Sequence, residues 1–230
     1  MAQGHLDEAV AYAEASRGLN QPDGAIDAAC EQILLDAGRV DEAYDKYALT
    51  AHAAATGLAT YRAIARRYTA RDPKQILLDL AESSSDPGRW FAAAKDAGFP
   101  DLALEFAANG RTDPRTLSRA ARDFLDEDAR FSLKVGRMAI QRILDGYGYE
   151  LIGADAIDAY RHFIAAAERL RVPDAARQDV LAPATKANER GAIFGGLLIR
   201  CCSNDPPAYA TEPIVQPVRS SAWPRKATRR

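Results

Sequence analysis

The chain has 230 residues and a formal charge of −2 at pH 7, and 47% of its residues are hydrophobic. This is enough apolar material for one or two ordinary domains, or for an extended solenoid with a continuous core. The three cysteines do not make a disulfide framework, and the longest apolar run, Ala192 to Ile199, is too short to cross a bilayer. We therefore expect a cytoplasmic protein without a membrane partner.

A short phrase occurs three times in the first half of the chain, beginning at Gly4, Gly38 and Gly98. In each copy Asp follows the glycine by three positions and Ala follows it by five. Glycine tolerates a positive φ and can close a helix, while the aspartate accepts backbone N–H groups in the first turn of the next helix. The phrase therefore predicts the start of the second helix of a helical hairpin.

The hairpin around Gly38 has the clearest pattern. Apolar residues recur at helical spacing on both sides of this glycine, which is typical of two amphipathic helices. The first helix carries Ile26, Ala29, Cys30, Ile33, Leu34 and Ala37, and the second carries Val40, Ala43, Tyr44, Tyr47, Ala48 and Ala51. We predict that the two stripes pack against each other and that Cys30 is a buried core thiol.

This hairpin resembles the junction between the two helices of a tetratricopeptide repeat. The residues that carry the resemblance are Leu34, Gly38, Glu42, Ala43 and Tyr47, within residues 28–51. The likeness is partial for residues 4–16 and loose for residues 87–109. It implies an α-solenoid of stacked helical hairpins, and a non-enzymatic scaffold that binds a protein or peptide partner on a concave surface.

Further helices follow from apolar spacing and from capping signals. A stripe from Leu58 to Tyr68 predicts one helix, and a short apolar turn from Ile76 to Ala81 predicts another. Asp86-Pro87 and Asp113-Pro114 predict two helix starts, because aspartate caps a helix and proline is tolerated in its first turn.

The second half of the chain predicts three more helices. A long one runs from about Asp128 to Asp145 and ends at Gly146, and the next carries an apolar stripe that ends before Pro173. A weaker helix occupies Asp174 to about Glu189. Alanine, the best helix former, fills 47 of the 230 positions. We predict an all-α protein of about ten helices without strands.

The composition changes at residue 200. Residues 200–230 contain five prolines and no helical stripe, with six Lys or Arg against two Asp or Glu. We predict a helical repeat domain over residues 1–199 and a disordered, Pro-rich basic tail over residues 200–230. Because the tail holds four excess positive charges, the body holds six excess negative charges, and we do not expect it to bind nucleic acid.

The sequence contains no motif for catalysis, for phosphate-loop binding or for metal coordination. His5, His52 and His162 fall in different predicted helices and form no ligand set for a metal. His162 lies off the core stripe, which favours a polar residue at the surface or between helices. We predict no enzymatic activity, no cofactor and no metal site.

The candidate binding residues belong to the first helices of successive hairpins, which line the concave surface of such a stack. They are Gln32, Asp36, Arg62, Arg66, Arg89, Trp90 and Lys95. The arginines would bind peptide carboxylates, and the exposed edge of Trp90 would add an apolar contact. Alternatively, the arginines only offset the acidic surface. A second candidate is the loop with Tyr147 and Tyr149, unless these tyrosines only cap the hairpin core.

The N-terminal helix and the functional class each allow more than one interpretation. Only three residues precede Gly4, so the stripe of Leu6, Ala9, Val10 and Ala13 lacks a covering first helix. We expect the chain to be the C-terminal part of a longer solenoid or to self-associate through its N-terminal helix, unless the stripe is small enough to cap the fold by itself.

The alternatives to a binding scaffold are an accessory or regulatory C-terminal domain of a larger protein or enzyme complex, and an all-α enzyme with an unrecognised carboxylate site.

Overall fold

A computed structural model describes residues 2–18, 23–148 and 150–203, and every regular element in these ranges is helical. Joining contiguous segments gives twelve helices in the described part of the chain. In order they are α1 (Ala2–Ala15), α2 (Asp23–Asp36), α3 (Val40–Ala43, a π-helical turn Tyr44–Ala48, then Leu49–Ala51), α4 (Gly57–Arg67), α5 (Pro73–Glu82), α6 (a 3₁₀ turn Pro87–Trp90, then Phe91–Asp96), α7 (Pro100–Asn109), α8 (Pro114–Asp123), α9 (Ala129–Leu144), α10 (Gly153–Arg169), α11 (Pro173–Glu189) and α12 (Gly195–Cys202). The predicted all-α class is confirmed.

Consecutive helices pack in pairs, and the pairs pack on one another. The pairs are α2 with α3, α4 with α5, α6 with α7, α8 with α9 and α10 with α11. Between pairs, α4 contacts α6 and α8 contacts α10, while α7 contacts α9 and α9 contacts α11. At these places first helices lie beside first helices and second helices beside second helices, as in the predicted stack of helical hairpins, while α9 also packs closely on α10 of the next pair.

Many contacts between neighbouring pairs join residues that are separated by about one hairpin of sequence. Hydrogen bonds such as those from Arg39 to Asp7 and from Tyr68 to Glu31 join residues 32 and 37 positions apart. Towards the C-terminus the separation grows to 44 residues, between Ser118 and His162. The growth follows from helix length, because α9, α10 and α11 have 16, 17 and 17 residues.

The turns at Gly38 and Gly98 have the predicted geometry. Gly38 has φ of +76°, its N–H donates to the carbonyl of Leu35 at 2.9 Å, and the N–H of Arg39 donates to the carbonyl of Leu34 at 2.9 Å. Gly98 has φ of +85° and closes α6 in the same way. A left-handed residue is required at this point to reverse the chain, and glycine adopts that conformation without strain.

The copy of the phrase at Gly4 differs from the other two. Gly4 lies inside α1, which begins at Ala2, so it does not close a preceding helix. The predicted helix starts are confirmed: the side chains of Asp86 and Asp113 accept hydrogen bonds from backbone N–H groups of α6 and α8. Asp72 caps α5 and Asp128 caps α9 in the same manner.

The core consists of a small cluster at the N-terminal end and a larger one that extends from α3 to α12. Cys30 is fully buried in the small cluster, as predicted, together with Tyr47. Val10 of α1 belongs to this cluster, and Leu6 and Ala13 pack against it. Three of the four residues of the α1 stripe therefore contact the small cluster, whereas Ala9 is exposed.

The apolar run from Ala192 to Ile199 enters a helix that the sequence pattern did not predict. This helix, α12, continues to Cys202, three residues past the predicted end of the helical domain, and Cys201 is buried in the large core cluster. Residues 204–230 of the predicted tail lie outside the described residues. Within the described ranges, no helix combines the length and the apolarity that a membrane span requires.

Candidate binding surface

We call the exposed sides of the first helices of the pairs, α2, α4, α6, α8 and α10, the first-helix face. Along it α4 packs on α6, α8 packs on α10, and side chains from the end of α4 reach α2. All seven candidates from the predicted hairpins lie on these helices: Gln32 and Asp36 on α2, Arg62 and Arg66 on α4, and Arg89, Trp90 and Lys95 on α6. Their surroundings differ from one residue to the next.

Arg62 is held in an ion pair with Asp96 of α6. Its Nη2 atom lies 2.9 Å from each carboxylate oxygen of Asp96, and its Nε atom lies 3.2 Å from Oδ2. Both side chains remain partly exposed, and an ion pair in such a position contributes only about 0–1 kcal/mol to stability. Arg62 therefore joins α4 to α6 through an interaction that a ligand carboxylate can replace at small cost.

An open groove separates α2 from α4, and we call it the α2–α4 groove. It has a volume of about 440 Å³ and is lined by Gln32, Leu35, Asp36, Ala63, Arg66 and Arg67. Gln32 donates to Asp36 at 2.6 Å, and Arg67 donates to Gln32. Arg66 is exposed, and among the described residues its side chain has no hydrogen-bond or ion-pair partner. Its guanidinium is therefore free to bind a ligand.

The predicted aromatic contact is wrong, because Trp90 is a core residue. It is only 4% exposed, and α4 begins against its ring: a Cβ atom added at Gly57 would lie 3.1 Å from the indole. Arg89 donates at 3.1 Å to a backbone carbonyl in the loop before α4. Lys95 places its Nζ atom 5.2 Å from the centre of the Phe124 ring. These three residues stabilise α6 and its neighbours.

Tyr147 lies after α9 and covers Arg142. The tyrosine is 37% exposed, and the Arg142 guanidinium lies 4.9 Å from its ring centre. Arg142 also donates to the carbonyls of Ala107 and Gly110 at 2.9 and 2.7 Å, where α7 ends. Tyr147 belongs to neither core cluster, and its ring contacts the Arg142 guanidinium rather than the hairpin core. Tyr149, the other tyrosine of the predicted loop, lies outside the described residues.

A buried carboxylate beside the α2–α4 groove was not predicted. Glu31 is 1% exposed and accepts a hydrogen bond from the Tyr68 hydroxyl at 2.6 Å. The Nε2 atom of His52 lies 2.9 Å from the same carboxylate, and the Nε atom of Arg67 lies 3.5 Å from it. One carboxylate therefore links α2 to the ends of α3 and α4. The sequence carries no clear signal for it, since a glutamate beside an apolar stripe is usually solvated.

A second polar site lies between α8 and α10. This cavity, the α8–α10 pocket, has a volume of about 160 Å³, and its lining includes Arg115, Ser118, Arg119, Arg122, Asp155 and His162. The Oγ atom of Ser118 lies 3.0 Å from Nδ1 of His162, and both residues are buried. Burial lowers the pKa of His162, and Arg122 and Arg161 act in the same direction against Asp158. The imidazole is therefore neutral at pH 7.

An ion pair forms one wall of the α8–α10 pocket. Arg115 donates to Asp155 through Nε at 3.0 Å and through Nη2 at 2.9 Å, and these bonds lower the pKa of Asp155. The signal in the sequence is the spacing of Arg115, Arg119 and Arg122, which places three guanidiniums on one side of α8. His162 was predicted to be a polar residue at the surface or between helices, and it lies between helices.

The first-helix face thus provides guanidinium donors at two places, the α2–α4 groove and the α8–α10 pocket. Such donors recognise carboxylate and phosphate groups. Within the ranges that the structure describes, no three His, Cys, Asp or Glu side chains come together in a group that could hold a metal ion. No family model, no curated protein and no solved structure matches this chain.

Proposed function

We propose that this chain is a non-enzymatic interaction scaffold of the tetratricopeptide-like helical-repeat type, which binds an acidic peptide or protein segment on the first-helix face. The observation that carries the proposal is the exposed guanidinium of Arg66 at the α2–α4 groove, which is unpaired among the described residues. An extended or helical peptide suits a groove between two helices, and an arginine fork suits its carboxylates.

The architecture supports this proposal. First helices lie side by side at α4 and α6 and again at α8 and α10, and stacked helical pairs commonly bind partners on that side. Contacts between neighbouring pairs that span 32 to 37 residues match the repeat length of about 34 residues in tetratricopeptide proteins. The buried Glu31 linkage holds α2 and α4 in position, so the groove is preformed and costs little ordering on binding.

The roles of the individual residues follow from their contacts. Arg66 provides the primary carboxylate contact in the α2–α4 groove. Arg62 provides a second contact by exchanging Asp96 for a ligand carboxylate, since the exposed pair between them is weak. Leu35, partly buried between α2 and α4, provides apolar surface to the same ligand.

The experiment is a selection from a random peptide library displayed on phage, followed by fluorescence anisotropy with the enriched peptides. We expect the enriched sequences to be rich in Asp and Glu. Arg66→Glu should weaken binding at least about tenfold, which corresponds to 1.4 kcal/mol. The matched control is Arg130→Glu, an exposed arginine of α9, a second helix, and it should leave the affinity unchanged.

Two results would reject the proposal. One is the absence of any peptide enrichment above that of an unrelated helical protein. The other is an equal loss of affinity for Arg66→Glu and Arg130→Glu, because a uniform charge effect does not require the α2–α4 groove. A helical circular-dichroism spectrum for both variants shows that the comparison is between folded proteins.

A further inference from the structure

The α8–α10 pocket is built differently from the rest of the first-helix face. It is more enclosed than the α2–α4 groove, and two buried polar side chains, Ser118 and His162, belong to its lining. Buried polar groups are normally satisfied by partners, so the hydrogen bonds of these two residues decide what the pocket offers to a ligand.

The hydrogen bond between Ser118 and His162 determines which ring nitrogen faces a ligand with a proton. The Ser118 hydroxyl lies 3.0 Å from Nδ1 of His162. When the hydroxyl donates to Nδ1, that nitrogen is the unprotonated one of the neutral ring. The ring proton is then on Nε2, which has no hydrogen-bond partner among the residues that the structure describes. His162 thus offers an N–H donor.

The arginines of α8 complete a set of donors. Arg115 is committed to Asp155 and to the carbonyl of Glu150, so it shapes the wall. Arg119 donates its Nε to the carbonyl of Arg115 at 3.1 Å, which leaves its terminal nitrogens without a partner in the described ranges.

Arg122 forms a partly exposed ion pair with Asp123 at 2.8 Å, and a ligand anion can replace such a pair at small cost. Of the acids in the lining, Asp155 is neutralised by Arg115, and Asp158 lies 3.7 Å from Arg161. Arginine side chains near the pocket therefore outnumber acidic side chains, although the chain as a whole has a negative net charge.

We propose that the α8–α10 pocket binds a phosphate group, held by Nε2–H of His162 and by the guanidiniums of Arg119 and Arg122. A volume of about 160 Å³ exceeds that of several water molecules, each of which takes about 30 Å³ in the liquid, and it accommodates a tetrahedral oxyanion. Donors that come from two helices approach a ligand from two directions, and this arrangement suits a tetrahedral phosphate better than it suits a planar carboxylate. Neutral N–H donors combined with arginine are a typical composition for phosphate recognition.

This inference goes beyond the proposed peptide scaffold and does not depend on it. The pocket lies on α8 and α10, whereas the carboxylate site uses α2 and α4. The test uses small anions, so its outcome is separate from the outcome of the peptide selection.

The experiment is an NMR titration of the imidazole nitrogens with inorganic phosphate, at constant ionic strength maintained with chloride. We expect saturable shifts of the His162 nitrogens and no comparable shifts of His5 or His52. The exposed variant Arg119→Gln should weaken phosphate binding at least fivefold without loss of folding. Arg130→Gln, an exposed arginine on α9, is the matched control and should bind as the wild type does.

Parallel titrations with acetate, serine and O-phosphoserine define the ligand. Binding of O-phosphoserine but not serine supports a phosphoryl group on an organic ligand, and tighter binding of inorganic phosphate supports the free ion. Acetate that binds as tightly as phosphate would overturn the proposal. So would the absence of saturable His162 shifts, or an Arg119→Gln protein with unchanged affinity.

Discussion

The hydroxyl of Tyr68 donates a 2.6 Å hydrogen bond to the carboxylate of Glu31, across 37 residues of sequence. This bond joins the end of α4 to the middle of α2, the two helices that form the α2–α4 groove. His52 Nε2 lies 2.9 Å from the same carboxylate, so the linkage also includes the end of α3. Burial at the tyrosine, together with the Glu31 hydrogen bond, raises the pKa of Tyr68 and keeps its hydroxyl protonated as the donor.

Removal of this carboxylate should destabilise the fold strongly. We expect Glu31→Ala to lower the free energy of unfolding by about 3 kcal/mol, because the Tyr68 hydroxyl and His52 lose a buried partner. Gln32→Ala, at the exposed next position of α2, is the control and should cost less than about 0.5 kcal/mol. Urea titrations of the two variants measure the difference. Equal stability of both variants would show that the buried linkage contributes nothing.

Tyr47 anchors the hairpin of α2 and α3. It is 3% exposed, and its hydroxyl donates to Glu14 of α1. We expect Tyr47→Ala to cost about 3–5 kcal/mol, as is typical of a large-to-small change in a core. Tyr12, which is 77% exposed, provides the matched control, and Tyr12→Ala should change stability by less than about 0.5 kcal/mol. A loss below about 1 kcal/mol for Tyr47→Ala in denaturant unfolding would refute this role.

Arg171 occupies a turn position that elsewhere in this chain belongs to glycine. Its φ is +60°, its N–H donates to the carbonyl of Glu168 at 3.0 Å, and the next N–H donates to Ala167 at 2.8 Å. This is the geometry found at Gly38. We expect Arg171→Gly to raise the free energy of unfolding by about 0.5 kcal/mol, because relief of the left-handed strain exceeds the entropy cost of glycine.

The opposite substitution provides the control for Arg171. Gly38 also has a positive φ, and a Cβ atom there would meet no other atom within 4 Å, so only backbone strain opposes a side chain. Gly38→Ala should therefore lower stability by about 1 kcal/mol. Thermal unfolding of both variants checks the signs. Shifts of the same sign would contradict the strain argument.

His162 makes stability depend on pH in a defined window. Burial lowers its pKa in the folded state below the value of about 6.5 in the unfolded chain. Below pH 6.5 the unfolded state therefore binds more protons than the folded state, and stability falls as the pH is lowered. We expect wild type to lose more stability between pH 7.5 and 5.5 than His162→Gln, which retains His5 and His52. Parallel losses in urea titrations at the two pH values would contradict the burial of a neutral imidazole.

Local features of this fold could be predicted from the sequence, and long-range ones could not. Gly38 and Gly98 close helices, and Asp86 and Asp113 open them, because a turn or a cap depends on residues within a few positions. The short α12 escaped prediction because it directly precedes the Pro-rich segment that begins at Pro206. Its Cys201 is buried by tertiary packing, which local composition does not report.

The polar sites illustrate the same limit. Glu31 meets its tyrosine 37 residues away, and Ser118 meets His162 44 residues away, so neither pair forms a local pattern. Trp90 was placed on the binding surface beside Arg89 and Lys95, as an aromatic residue whose exposed edge would contact a peptide. Its 3₁₀ turn and the start of α4 instead bury its ring. The exposure of Arg66 could be predicted, because this residue lies off the apolar stripe of its helix.

The most direct test of the proposed scaffold is a map of backbone amide chemical-shift changes on addition of the selected acidic peptide. We expect the largest changes on the first-helix face around Arg66 of α4 and Asp36 of α2, with α3 and α5 little affected. The Arg66→Glu protein should show no such changes at the same peptide concentration. Changes centred on the second helices or around Tyr147 would contradict binding in the α2–α4 groove.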